Sequence, residues 1–205
     1  IDTAVPMWWP VIAGPALSAL GALTGRRGLA GAGLFLSAGS VASFADIARH
    51  RIVPGANDNL TGVAVLVAVA ESLRAEPVEG VRVLLASCGA EEVLQGGVYG
   101  FVERHLKPLD PRRTLVLNLD TVGCPRLIML EGEGPVVMED YCGPDFRDLV
   151  ARVAEDAGVE LRRGMRARTS TDAVVPSHAG YPTATISSMN AWKGLSNYHR
   201  HTDTP

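Results

Sequence analysis

An α/β fold, with a mainly parallel or mixed central sheet and helices on both faces, is what this 205-residue sequence predicts. After Pro54, short continuous β-type runs alternate with helical periodicities, the pattern of strands joined by helical crossovers. Between Thr3 and Ala45 the chain is almost free of charge and predicts an additional N-terminal apolar helical hairpin. The length suits one sizeable domain with a core of its own.

The hairpin comes first. Between Thr3 and Ala45 the only charged residues are Arg26 and Arg27, and apolar runs at 8–23 and 29–45 flank them. A bilayer-spanning helix needs ~20 apolar residues, so the first run is short and the second near the limit. Trp8 and Trp9 suit a membrane interface, and Gly31 and Gly33 among many Ala and Ser allow close helix packing. Two readings stand side by side. One is a membrane hairpin over residues 7–48 with an Arg-Arg tip, which makes the protein membrane-associated. The other is a pair of helices that covers the domain or an oligomer surface. Arg49 and Arg51 lie at the other end of the run, so charge does not orient the hairpin or say on which side the remaining chain sits.

Residues 60–75 read as a helix that is apolar nearly all round (Val63, Leu66, Val67, Ala70, Leu73) and therefore buried. Residues 81–86 read as a short strand covered on both faces. A helix follows over 98–106, ending before Pro108, then strands over 114–119 and 126–130. The spacing of Phe146, Leu149, Val150 and Val153 predicts a helix over 146–157, stopped by Gly158. A last strand is expected at 183–187. Residues 131–145 and 162–171 read as loops, and the acidic residues of the first, Glu131, Glu133, Glu139 and Asp140, as a solvated surface.

Net charge is −3, from 19 basic and 22 acidic residues, and no basic stripe points to nucleic acid as a partner. The three cysteines, Cys88, Cys124 and Cys142, are odd in number and lack C-x-x-C spacing, which argues against a disulfide framework and against a cysteine-type zinc site. The chain begins at Ile1 without the basic n-region of a signal peptide and stops within a turn-like Asp-Thr-Pro. It reads as a piece of a longer protein, its α/β domain over 53–205 truncated at both ends and its hairpin an insertion over 3–52.

Four stretches carry chemistry: Gly55-Ala56-Asn57-Asp58-Asn59, Ala90-Glu91-Glu92, Asn118-Leu119-Asp120 and Tyr198-His199-Arg200-His201-Thr202-Asp203. In open α/β sheets ligands bind beyond the carboxyl ends of strands. Glu91 and Glu92 follow one predicted strand, Asp120 ends another, His199 follows the last, and Asp58 precedes a helix. Each alone has a plain structural reading: a helix N-cap for Asp58, a solvated face for the Glu pair, a surface loop for Tyr198-His199. Together they would crowd several carboxylates in one place, which is costly unless a cation neutralises them. No G-x-S-x-G elbow and no H-E-x-x-H helix occurs.

These stretches, with Thr61-Gly62-Val63-Ala64, Gly96-Gly97, Thr121-Val122-Gly123 and Asp203-Thr204 around them, resemble the signature of metallopeptidase family 28, the co-catalytic di-zinc aminopeptidases. The resemblance runs from Gly55 to Pro205 and implies a zinc exopeptidase-like fold that takes peptide substrates. It implies two zinc ions bridged by Asp58, with Glu92 and His199 completing one ligand set and Asp120 belonging to the other. It also implies Glu91 as general base toward a metal-bound water. His201 competes with His199, but the family's histidine precedes the aspartate at Asp203 by four, which favours His199. Asp172 resembles the aspartate of a Ser-Asp-His segment beside the family's substrate pocket, with Ala173 standing where that histidine would be. Tyr198 falls on the substrate side of the Tyr198-His199 motif. Ile1-Asp2-Thr3 resembles the tail of a His-x-Asp motif. Its histidine would precede Ile1, and Asp2 would orient it; a terminal carboxylate without that role is the plain alternative. Within the same architecture, a single-zinc glutaminyl cyclase and a receptor or scaffold domain without catalysis are the competing functions.

Overall fold

The structure, a computed structural model, describes residues 9–205. They divide into two compact units, a helical one reaching to Ile52 and a larger one over Val53–Pro205.

The helical unit is two antiparallel helices, α1 (Trp9–Thr24) and α2 (Arg27–Arg49), joined at Gly25 and Arg26. Small residues let them touch backbone to backbone: a Cβ on Gly21 would lie 2.3 Å from the Ala30 nitrogen, and one on Gly33 2.4 Å from that of Ser18. Ser18, Thr24, Ser40 and Ser43 each donate to the carbonyl four residues earlier, so these hydroxyls are satisfied within their own helices. The outward residues are large and apolar, among them Ile12, Leu23, Leu34, Phe35, Phe44 and Ile47. Among the described residues α2 alone is long and apolar enough to cross a membrane, α1 being apolar but shorter.

The larger unit holds a mixed five-stranded sheet: β1 (Val116–Leu119), β2 (Arg126–Glu133), β3 (Glu139–Asp140), β4 (Leu161–Ala167) and β5 (Thr183–Met189). β1 runs parallel to β5, β5 antiparallel to β2, and β2 parallel to β4. The short β3 pairs with Gly132 and Glu133, past the end of the β5 ladder. The helices are α3 (Thr61–Ala75), α4 (Gly96–Phe101), continued by a π turn over Val102–Leu106, α5 (Pro144–Asp156) and α6 (Val174–His178). One core cluster joins Ile128 and Leu130 of β2 to Tyr141, Ala167, Ala173 and Met189. A second packs the helical stripe Val98, Val102 and Leu106 against Val175 and Tyr181, and the Tyr181 hydroxyl donates to the Leu106 carbonyl at 2.7 Å.

Four sequence expectations need correction. Residues 81–86 form no ladder, because a strand exists only with a partner and no described strand pairs with them. Helix α3 forms, yet Val63, Val65, Val67 and Val69 are exposed and only Gly62 is buried; an apolar composition does not supply the neighbour that would cover it. Residues 161–167 form strand β4 rather than a loop. Their Arg-rich sequence is that of an edge strand, with Arg163 paired to Glu131 and Asp148 and Arg166 to Asp140. Glu131 and Glu133 belong to β2, and Glu133 is 3% exposed rather than solvated.

Ile128 is fully buried at the centre of the first cluster. Ile128→Ala is expected to destabilise the larger unit by about 2–5 kcal/mol, measured by urea denaturation. A loss below about 1 kcal/mol would contradict this core.

Candidate metal centre

Asp58 sits in a single π-type turn, Ala56–Leu60, through which the chain enters α3. That turn is irregular and is fixed by side chains far away in sequence. The two carboxylate oxygens of Asp203, 2% exposed, accept the N–H groups of Asn57 (2.7 Å) and Asp58 (3.1 Å), and the Asp203 carbonyl accepts that of Ala56. Asn57 accepts the Gly123 N–H at 2.9 Å and donates to the Ser196 carbonyl at 3.0 Å. Asn59 accepts the N–H groups of Gly62 and Thr121 and donates to the Leu119 carbonyl. Thr61 accepts from the Val122 N–H and donates to the Asn57 carbonyl. Gly62 is required by proximity: a Cβ there would lie 2.6 Å from Asn59 Oδ1 and 2.8 Å from the Leu119 carbonyl oxygen. The asparagines around Asp58 thus staple its turn to the segment that carries Asp120.

Asp120 follows β1 directly, its N–H donated to the Ile186 carbonyl of β5. The hydroxyl of buried Thr121 lies 2.8 Å from Asp120 Oδ1 and 3.3 Å from Asp58 Oδ1, joining the two carboxylates. Glu91 and Glu92 lie in a turn closed by the Gly97 N–H to the Gly89 carbonyl and the Gln95 N–H to the Glu91 carbonyl. His199 Nε2 is 2.8 Å from Glu92 Oε1 and 3.3 Å from Asp58 Oδ2, and the Tyr198 ring stacks on the imidazole at 3.8 Å.

Donor atoms of Asp58, Glu92 and His199 lie within 4.8 Å of one another. Asp120 stands outside that group and reaches it through Thr121. Glu91 and Asp172 line one cavity of about 230 Å³ with Asp58, Glu92 and Asp120. Asp172 Oδ1 is buried there without a hydrogen-bond partner among the described residues. Asp2 lies outside the described residues. His201 is not in the three-donor group. Of the other histidines, His178 ends α6 and pairs with Glu139, and His105 contacts the Phe101 ring.

The electrostatics are those of crowded acids. Burial, then Asp120, Glu92, Asp172 and Asp58, push the Glu91 carboxyl up to about 8. Burial raises Asp120 to about 6, opposed by the Thr121 hydroxyl and aided by Asp58. Burial raises Asp172 to about 6, and burial followed by Glu92 raises Asp58, with His199 opposing. A divalent cation among them reverses the carboxylate–carboxylate part of this cost. One imidazole nitrogen and two carboxylate oxygens are a donor set that fits zinc with a coordination position left open. Two residues that hold the site together carry no ligand role in the sequence reading. In sequence Asp203 marks only the register of His199, and Thr121 is one letter of a motif. The signal for both was adjacency to ligands, which says nothing of the hydrogen bonds they make.

The sequence model of peptidase family M28 matches residues 40–205. Among solved structures, BSAP, a zinc aminopeptidase from Bacillus subtilis, is similar in fold with a TM-score of 0.53 and 23% identity. The match covers 76% of this chain, and the chain spans 38% of the length of that protein. No curated protein matches.

A raised carboxyl pKa makes folding favour the protonated form. The stability it contributes is complete below the unfolded value and is lost as pH rises through the folded one. With its metal removed by chelation, the protein is therefore expected to lose thermal stability as pH rises from about 4 to about 8, the window set by Asp120 and Glu91. Zinc should abolish that loss. A melting temperature that is flat over this range without metal would contradict the clustering.

Proposed function

We propose, since the chain belongs to peptidase family M28, that it carries the catalytic centre of a zinc-dependent exopeptidase, and that the exopeptidase is an aminopeptidase. The observation that carries this reading is the convergence of Asp58, Glu92 and His199 beside Glu91. Asp58, Glu92 and His199 would hold one zinc. Asp120, tied to Asp58 through Thr121, is the proposed holder of a second ion that shares Asp58. When bound, the metal supplies Lewis-acid chemistry and lowers the pKa of water.

The chain's own groups do the remaining work. The Glu91 carboxylate takes a proton from the attacking water and returns it to the leaving amine. Asp172 and the Tyr198 ring face the substrate. The cavity is lined by five carboxylates and by no lysine or arginine. The charge of Asp58, Glu92 and Asp120 would be offset by the metal they hold, which leaves Glu91 and Asp172 as the acidic groups of the cavity that could meet the ammonium end of a peptide. At about 230 Å³ the cavity is below the ~300–1,000 Å³ usual for ligand clefts, in keeping with binding of a chain end rather than a folded partner.

A single-zinc cyclase of the same architecture is the second reading, with Asp58, Glu92 and His199 as the group that would hold its one ion. Counting zinc in the full-length protein, with aminoacyl-anilide and N-terminal glutaminyl peptides as substrates, separates the two. Two ions and released amine support the peptidase; one ion and cyclised product support the cyclase. Glu91→Gln should retain zinc and lose about 10²–10⁴-fold in kcat. Hydrolysis near the parent rate would remove Glu91 from its role.

We also propose that α1 and α2 anchor the protein in a membrane. The outward apolar side chains and internally bonded hydroxyls meet the need of a lipid-exposed helix to satisfy every polar group within itself. Full-length protein should float with liposomes in a density gradient and resist extraction by high salt. Release by salt alone would refute insertion.

A further inference from the structure

Glu133 is a buried carboxylate that the reaction does not use. It ends β2, and its four hydrogen-bond partners among the described residues are all neutral. Oε2 accepts the Tyr141 hydroxyl, the Thr171 N–H at 3.1 Å and the Thr171 hydroxyl at 2.8 Å; Oε1 accepts the Thr169 hydroxyl at 3.1 Å. Burying a carboxylate without a cationic partner is expensive. What it offers in return is acceptor capacity, since an ionised carboxylate provides about four lone-pair sites and no donor. A neutral amide offers only two, together with two donors that need acceptors of their own.

The donors gathered there belong to one segment, residues 169–173. Thr171 Oγ1 also receives the Asn118 side chain of β1 at 3.2 Å and the Ala173 N–H at 3.3 Å. The Ser170 carbonyl receives Gln95 Nε2 at 2.8 Å, from the turn that carries Glu91 and Glu92. The Tyr141 hydroxyl is held in turn by Thr185 of β5 at 3.1 Å. Asp172, inside this clasped segment, lines the same cavity as Glu91 and Asp120.

We propose that Glu133 is a positioning residue: through Thr171 it fixes Asp172 in the cavity wall, and so sets affinity for substrate without touching substrate or metal. This rests on the peptidase reading. In Glu133→Gln the amide oxygen can keep both bonds from Thr171 and the amide nitrogen can donate to Thr169, while Tyr141 loses its acceptor, so the hold on Thr171 survives. Glu133→Leu removes it. Thr171→Val deletes the hydroxyl that links Glu133 to Asn118, and Thr171→Ser keeps that hydroxyl.

The test uses the full-length protein in these four forms beside the parent, with zinc content, steady-state kinetics on an aminoacyl-anilide and amide hydrogen exchange over 169–173. Glu133→Leu and Thr171→Val are expected to raise KM about tenfold with kcat within about threefold, the signature of lost binding rather than lost chemistry. Exchange over 169–173 should accelerate, while zinc content holds. Glu133→Gln and Thr171→Ser should stay near the parent in KM and exchange. Unchanged KM and exchange in Thr171→Val overturn the proposal, as does an equal rise in KM for Thr171→Ser, or a loss of zinc in Thr171→Val. If Glu133→Leu fails to fold, the Thr171 pair decides. If the parent itself hydrolyses nothing, the peptidase reading fails, and the exchange data alone support or overturn the hold of Glu133 on the segment.

Discussion

Asp58 and Asp120 are held close enough for one hydroxyl, that of Thr121, to reach both. Two carboxylates so placed repel, and Glu91, Glu92 and Asp172 around the same cavity add to the repulsion. The Thr121 hydroxyl and the His199 imidazole offset only part of that repulsion. The geometry must be imposed by the backbone, and the backbone by bonds made elsewhere. Both Asp203 oxygens on the Asp58 turn, the reach of Asn57 to residues 123 and 196, and that of Asn59 to residues 62, 119 and 121 do this. The sheet supplies the rigid frame, β1 delivering Asp120 and β5 holding it through Ile186.

Local conformation carries part of the cost. Ala90, Thr121 and His199 all have positive φ, near +55°, which is unfavourable for residues with a Cβ and most so for β-branched Thr121. Each adjoins or is a residue of the metal centre. The core clusters, at Ile128 and Leu130 and at Val98 and Leu106, lie in regular elements and contribute the burial that keeps such conformations in place.

The α/β class was legible in the alternation of strand and helix runs, and Asp58, Glu92 and His199, whose donor atoms lie close together, were legible through the resemblance of their motifs to a metallopeptidase family, since each alone has a plain structural reading. The β2 and β5 strands were legible because their buried runs are continuous. Burial itself was not, because it depends on a partner. The apolar run at 81–86 and the valines of α3 predicted coverage that no described neighbour provides. Strand β4 was hidden by its arginines, whose acceptors Glu131, Asp148 and Asp140 stand on other elements. Glu133 read as solvated because acids usually are. What buries it comes from Tyr141 and Thr171, 8 and 38 positions away, and composition carries no trace of such an encounter.

The bond from Asp203 to the Asp58 turn spans 145 positions. Chains emerge from the ribosome N-terminus first, and early parts collapse before later ones appear. Asp58, Glu92, Asp120 and even His199 are therefore all synthesised before the residue that shapes the turn between them. A nascent or prematurely ended chain that stops just short of position 203 keeps all four of those side chains and lacks the clamp on the turn that carries Asp58.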